Sequence, residues 1–576
     1  MELNYWQRRQ RQISRRRFVG SAAAAAAGLA AFTAVGCGDD DSGGTTSTTV
    51  PGQSSASSPT EQPRAGGTFR TANTSPVGIQ DPHFGSTNQW VTPFMGDSLL
   101  EMSNSTRKLS GSLVERWEQP DPQTLVLTLR KGVKFFNLPP VNGREMEAKD
   151  VVYAIKSMYG SQYPDAKTPF PRKSLFDGLK EPVVTDKYTV RLEFTKPRWD
   201  AVVGLAEKRM AVIPEGLRET FGGLDSLQGP KPERLIGTGP FICEKFDPEG
   251  EMLWKRNPDY WNKPYPYLDA VQQIVVKDTN TWATAMISGQ NNILTSIQEQ
   301  TVDLVKRGLP NVQVLNYAPD GYWYHLGLNT RKKPLNDPRF RKALALVIDK
   351  QGFAKNIFGK DQARVPGPLP WIYDEAISQD DLAKTPGMRT PTDQDYADAK
   401  SLLSAAAVDK VTLTITAAVE QLGTHQYKAL AEYVKSQVEK YLPGVTINID
   451  ATNYTAMLAK IGQPDTNFDI YTGGWVHELS PIAMMSVSYY SKGGRNFGGY
   501  NDSKLDGYLD SANAELDAAK RADLIRNAQK LALEQWSHIP THHGQFTALL
   551  SPNVRNLELG SVAGASYYLK YAWLKG

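Results

Sequence analysis

Tyr427-Lys-Ala-Leu-Ala-Glu-Tyr-Val-Lys-Ser-Gln-Val-Glu-Lys-Tyr441, then Leu442-Pro443-Gly444, then Val445-Thr-Ile-Asn-Ile449, is a helix, a turn and a strand written in one short run. Tyr427, Leu430, Ala431, Val434, Val438 and Tyr441 recur at helical spacing and make one apolar stripe. Pro-Gly breaks that period, and the β-branched alternation after it has the period of a strand. The same mixture recurs along the chain. Thr124-Leu-Val-Leu-Thr-Leu-Arg130 and Lys187-Tyr-Thr-Val-Arg-Leu-Glu-Phe194 alternate as strands. Asp337-Pro338 reads as an N-cap with proline at the first helical position, opening a helix through Asp349. Strands and helices interleave throughout with no internal repeat, so the class is α/β.

The N-terminus is of another kind. Ser14-Arg15-Arg16-Arg17-Phe18-Val19, an alanine-rich run from Gly20 to Ala34, and Gly36-Cys37 have the basic, apolar and small-residue zones of a secretory signal. The arginines before Phe18 resemble a twin-arginine address. Ala34-Val35-Gly36-Cys37 resembles a lipobox, whose cysteine becomes the lipidated first residue; Ala34 stands where a larger aliphatic is usual. A spanning helix needs about 20 predominantly apolar residues, and this alanine run is shorter and ends at Asp39-Asp40-Asp41. Residues 1–36 are therefore expected to be signal and 37–65 a flexible Asp-, Ser-, Thr- and Pro-rich tether, placing the protein outside the cytoplasm on a lipid anchor.

The net charge of +4 is a property of that signal. Without residues 1–36 the chain has 59 basic and 60 acidic side chains, a balance that argues against nucleic acid or an anionic membrane surface as partner. Cys37 and Cys243 are the only cysteines; if Cys37 is lipidated, Cys243 is unpaired and reads as a small buried filler. Some 540 residues without disulfides exceed one compact core and imply two or more lobes.

Catalytic signatures are missing: there is no Gly-x-Ser-x-Gly elbow, Walker loop or dinucleotide fingerprint. His477-Glu478 begins like a zinc-protease helix, but Pro481 takes the place of the second histidine. His538, His542 and His543 form the densest histidine group, and Pro540 interrupts the helical relation of the first two. No metal, no cofactor and no enzymatic activity are expected. Large rings beside glycines stand out instead, in Asp320-Gly-Tyr-Trp-Tyr-His-Leu-Gly-Leu-Asn329 and Tyr471-Thr-Gly-Gly-Trp475. Aromatic faces line small-molecule pockets, and glycines let backbone approach a ligand.

Ordered motifs run from Gly66-Gly67-Thr-Phe-Arg70 and Asp81-Pro82-His83, through Leu113-Val-Glu-Arg-Trp117, Leu129-Arg-Lys-Gly-Val-Lys-Phe135 and Ala148-Lys-Asp-Val-Val-Tyr153. Gly237-Thr-Gly-Pro-Phe241, Asn257-Pro-Asp-Tyr-Trp261, Leu328-Asn329 and Asp337-Pro-Arg-Phe-Arg-Lys-Ala343 continue the order. Phe468-Asp469, Gly474-Trp475 and Asn496-Phe497-Gly-Gly-Tyr500 complete it. In this order they resemble the family 5 extracellular solute-binding proteins of ABC importers. The resemblance implies a bilobal periplasmic-binding-protein clamp with an added α/β domain: a discontinuous lobe from 66–97, 231–318 and 540–576, an insertion at 98–230, and a second lobe at 319–539. It implies a peptide or similar small solute between the lobes, ABC permease subunits as partners, and a monomer. Glu478, three residues after Trp475, takes the place of the family's acidic anchor for a ligand amine, although Ser480-Pro481 replaces the usual Asp-Pro. Trp475 would form a wall, with Tyr322, Trp323 and Tyr324 next, and Asn88, Gln89, Trp90 and Arg495 as further contacts. Oligosaccharides or a nickel complex are alternative solutes. A sensory receptor subunit is an alternative role, and a cofactor-loaded exported enzyme a distant one.

Overall fold

The computed structural model describes residues 61–73, 81–83, 91–103, 107–161, 176–227, 231–276, 278–295, 297, 299–317, 322–358, 364–419, 421–422, 425–462, 467–476, 478–543, 546–559 and 569–576. The chain divides into two compact units, Met1–Pro63 and Arg64–Gly576. Everything below concerns the second; the signal, Cys37 and Asn88, Gln89 and Trp90 lie outside the described residues.

The opening run folds as its period dictates. The helix spans Tyr427–Tyr441 and buries Tyr427, Leu430, Ala431, Val434 and Val438. Gly444 makes the turn at φ 93°, and a Cβ there would sit 2.0 Å from the Asp409 carbonyl oxygen, so only glycine fits. The strand Val445–Thr452 follows and pairs in parallel with Val411–Ala418. Val411–Ala418 in turn runs parallel to Ile470–Val476, which is antiparallel to Tyr322–Leu328, itself antiparallel to His538–His543. These five strands form one sheet in that order. Helix Tyr427–Tyr441 and helix Pro338–Val347 share an apolar cluster with this sheet, including Leu326, Leu344, Ile415, Leu430, Val434 and Ile470.

Two other sheets draw their strands from distant parts of the sequence. One orders Thr68–Asn73, Ala270–Val275, Glu251–Arg256 and Phe241–Phe246. The other places Phe546–Leu550 between Ile293–Leu294 and Gln313–Tyr317. Val114–Asp121, Thr124–Leu129, Thr189–Glu193 and Val183–Asp186 make an antiparallel sheet of their own. The chain thus passes between the three-stranded and five-stranded sheets twice: from Gln313–Tyr317 to Tyr322–Leu328, and from His538–His543 back to Phe546–Leu550. The return follows His543 rather than residue 540.

Asp81, Arg218 and His83 pin the early loop to the middle of the chain. The Arg218 guanidinium donates to both Asp81 carboxylate oxygens at 2.5 and 2.7 Å and to Ser157 Oγ at 2.9 Å. His83 sits 2.9 Å from the same guanidinium through Nδ1, so Nε2–H donates to the Ala211 carbonyl at 2.8 Å. All three side chains are buried, and a bidentate, charge-assisted pair offsets the desolvation that burial imposes. Cys243 lies buried in strand Phe241–Phe246, and burial pushes its thiol up to about 12. Among the described residues, no helix is long and apolar enough to cross a membrane.

Candidate functional site

The site grows from the antiparallel pair Tyr322–Leu328 and Ile470–Val476. Its register sets Trp323 opposite Trp475, Tyr324 opposite Gly474, His325 opposite Gly473 and Gly327 opposite Tyr471. Side chains alternate across a sheet, so Trp323, His325, Tyr471 and Trp475 share one face and Tyr324 takes the other. Tyr324 is fully buried there, stacked on His542 with centroids 4.2 Å apart and 5° between planes. Trp323 is also fully buried, stacked on His325 at 4.2 Å and donating from Nε1 to the Gly367 carbonyl at 2.9 Å. Tyr322 contributes a strand position opposite Val476.

The glycines of these stretches make room for rings. A Cβ on Gly327 would lie 2.1 Å from the Tyr471 ring, one on Gly473 2.6 Å from His325 Nε2, and one on Gly474 2.7 Å from the Tyr324 ring. At these three positions the expected approach of backbone to a ligand is corrected: neighbouring aromatic side chains already occupy the space, as happens when a ring lies across a glycine on the adjacent strand.

Trp475 and Arg495 are brought together. The guanidinium carbon of Arg495 lies 4.7 Å from the Trp475 ring centroid, a cation–π arrangement. Helix Pro481–Tyr489 turns the chain so that this can happen. Its N-cap Ser480 accepts from the backbone N–H of Ile482 and Ala483, and Pro481 opens the first turn. Beyond its end, the Arg495 backbone N–H donates to the Val487 carbonyl at 2.8 Å. The Ser480-Pro481 pair is thus a helix start, the same chemistry as Asp337-Pro338. Glu478 sits in the turn between strand and helix, half-buried. Its backbone carbonyl accepts from the Tyr373 hydroxyl and, at 3.4 Å, from Arg107 Nη2.

Polar atoms crowd this face. Trp475 Nε1, Arg495 Nη1, His325 Nδ1, Tyr489 Oη and His538 Nε2 are buried and find no hydrogen-bond partner among the described residues. They belong to neighbours: His325 is 5.6 Å from Trp475 and 5.1 Å from His538, and His538 is 4.9 Å from Tyr489. Each buried unsatisfied group costs about 1–3 kcal/mol, and indole and guanidinium N–H can only donate. Among the described residues Arg495 has no carboxylate partner. The arrangement suits an acceptor such as a carbonyl or carboxylate oxygen. Burial, then His538 and Arg495, hold His325 well below its ordinary value, and burial takes His538 down to about 3. Both rings are neutral at physiological pH. Among the described residues, no group of three or more His, Cys, Asp or Glu is placed to hold a metal ion.

Residues 108–497 match the bacterial extracellular solute-binding proteins, family 5. The chain belongs to this family. The di/tripeptide-binding protein 2 of Pseudomonas aeruginosa is 25% identical to this family 5 chain over 485 residues, covering 79% of it and 85% of the relative. Heme-binding protein A of Haemophilus influenzae is 24% identical over 482 residues, covering 79% and 83%. The periplasmic binding protein DppA of Helicobacter pylori, solved in complex with the peptide STSA, superposes with a TM-score of 0.70 at 21% identity, covering 89% of this chain and 99% of that one. The family 5 chain therefore has the mixed α/β periplasmic-binding-protein fold and a solute-binding role.

His325, Tyr489, Arg107 and Tyr373 are additional to the residues the sequence points to; His325 stands inside the aromatic stretch beside larger rings. No local pattern marks the other three.

Proposed function

We propose that this chain is the extracytoplasmic capture subunit of an ABC importer, lipid-anchored through Cys37, which closes on a peptide or similar small solute and delivers it to a permease without chemical conversion. The family match over residues 108–497 carries the reading. The chain's two passages between the three- and five-stranded sheets support it, since hinges are a few residues at the ends of elements. In this reading Trp475 forms a wall of the pocket and Arg495 offers donors to the solute. Glu478 faces its amine, and Tyr322, Asn88, Gln89 and Trp90 line the remainder. Trp323, fully buried beside Trp475 on the same face, and Tyr324 on the opposite face act as the packed support of the Trp475 strand.

The test is thermal shift followed by calorimetry of the purified protein against short peptides, amines, oligosaccharides and haem. A ligand that binds the native state alone at 100 times its Kd adds about 2.7 kcal/mol to stability, so a peptide hit is expected to raise the Tm by several degrees. Stabilisation by none of these solutes overturns the capture role. The heme-binding relative motivates a second reading, and stabilisation by haem with no response to peptides would select it.

A further inference from the structure

Arg107 follows a hairpin arm whose other contacts run in a different direction. Leu100–Met102 pairs antiparallel with Leu109–Gly111, and Ser103 and Arg107 close the arm with backbone hydrogen bonds of 2.9 and 3.0 Å across Ser103–Arg107 and Ser103–Lys108. At its base, Glu101 accepts from Lys570 Nζ at 2.7 Å and from the Tyr571 hydroxyl at 3.1 Å, and Ser103 Oγ donates to Glu558 at 3.1 Å. The arm is thus fastened to the C-terminal segment. Its Arg107 reaches the other way: Nη2 donates to the Leu479 carbonyl at 2.8 Å and to the Glu478 carbonyl at 3.4 Å. The guanidinium also lies 5.2 Å from the Tyr373 ring, and the Tyr373 hydroxyl donates to the same Glu478 carbonyl.

We propose that Arg107 and Tyr373 are positioning residues that together hold the Glu478–Leu479 turn, and with it the solute anchor that follows Trp475, from two elements remote in sequence. Three physical points carry this. The Glu478 carbonyl receives two donors, one of them charged, and charge-assisted bonds are the stronger kind. The stacking of guanidinium on phenol ring makes the two donors one unit. Arg107 holds a φ of 53°, a left-handed backbone that costs a non-glycine residue on the order of 1 kcal/mol and persists only where surrounding contacts fix it. Solute retention is then coupled to these two side chains: with their contacts in place the turn is held, and without them it relaxes and the solute leaves sooner. This coupling rests on the capture role proposed above; the positioning itself does not.

The experiment has two arms on the full chain. In ligand-free protein, Arg107→Gln and Tyr373→Phe are expected to speed amide hydrogen exchange across residues 478–484 about tenfold. Exchange of the Thr124–Leu129 and Val445–Thr452 strands should not change, and the double variant should do little more than either single one, as expected for residues acting as a unit. Unchanged exchange at 478–484 overturns the proposal. So does a general acceleration, which indicates loss of global stability. In the second arm, tri-alanine dissociation followed by tryptophan fluorescence is expected to be about tenfold faster in either variant with little change in association. Equal dissociation rates overturn the coupling. Failure of tri-alanine to bind the wild type counts against the peptide reading and the coupling to it, and leaves the exchange result to decide the positioning.

Discussion

Arg495 is the side chain on which solute recognition can be read most directly. It lies against Trp475 with a buried nitrogen that has no partner among the described residues, and a hydrogen bond to a charged group contributes about 1.5–3 kcal/mol. Arg495→Gln is therefore expected to weaken binding of a peptide hit at least tenfold by calorimetry, with the ligand-free Tm held within a few degrees; equal affinities would remove Arg495 from the site. The residue scale was also where the sequence was least legible. Family motifs point to Trp475 and Arg495, but nothing nearby in sequence says why Gly473 and Gly474 are glycines: the His325 and Tyr324 rings that fill their missing Cβ positions sit on a strand far away in sequence. Arg107 and Tyr373 reach Glu478 across 371 and 105 residues, and one-dimensional spacing holds no trace of such a contact.

Elements were more legible, because their causes are local. Helix Tyr427–Tyr441 has the bounds its apolar stripe predicts, and the strand expected over 124–130 runs Thr124–Leu129, one residue short. Lys187–Phe194 is the exception. Its first two residues form the turn between Val183–Asp186 and Thr189–Glu193, where the Asp186 carboxylate accepts from the Tyr188 N–H at 2.8 Å. An Asx-type turn competes with the strand period there. Asp337 is the N-cap that Asp-Pro announced, accepting from the Arg339 N–H at 2.8 Å; the helix stops at Val347, short of Asp349. Asp337→Ala is expected to cost about 1 kcal/mol in urea unfolding, and Asp337→Asn, which also caps, clearly less. Equal losses would mean that the ion pair of Asp337 with the Arg339 guanidinium at 2.6 Å, rather than the cap, supplies the stability.

At the scale of the whole molecule, buried neutral histidines set the response to acid. His83 and His538 are held at about 4 and about 3, chiefly by burial, and His325 well below its usual range for the same reason. In the unfolded chain each titrates near 6.5. Between these values the unfolded state binds protons that the native state refuses, so stability is retained above about pH 6.5 and falls as pH drops toward 4, each ring contributing up to about 1.4 kcal/mol per pH unit. Urea unfolding at pH 7 and pH 5.5 is expected to show a loss of several kcal/mol, reduced in His538→Phe; a flat profile would refute the neutral burial of these rings. The assembly of sheets from distant segments is not legible in local pattern: nothing nearby in sequence says that strand Phe546–Leu550 belongs between Ile293–Leu294 and Gln313–Tyr317. That placement has a consequence for the order of events during synthesis. Both flanking strands leave the ribosome long before their shared middle partner, so they wait with unpaired edges, a state that is exposed to aggregation. The sheet closes only after residues 546–550 have been made, long after both of its edge strands.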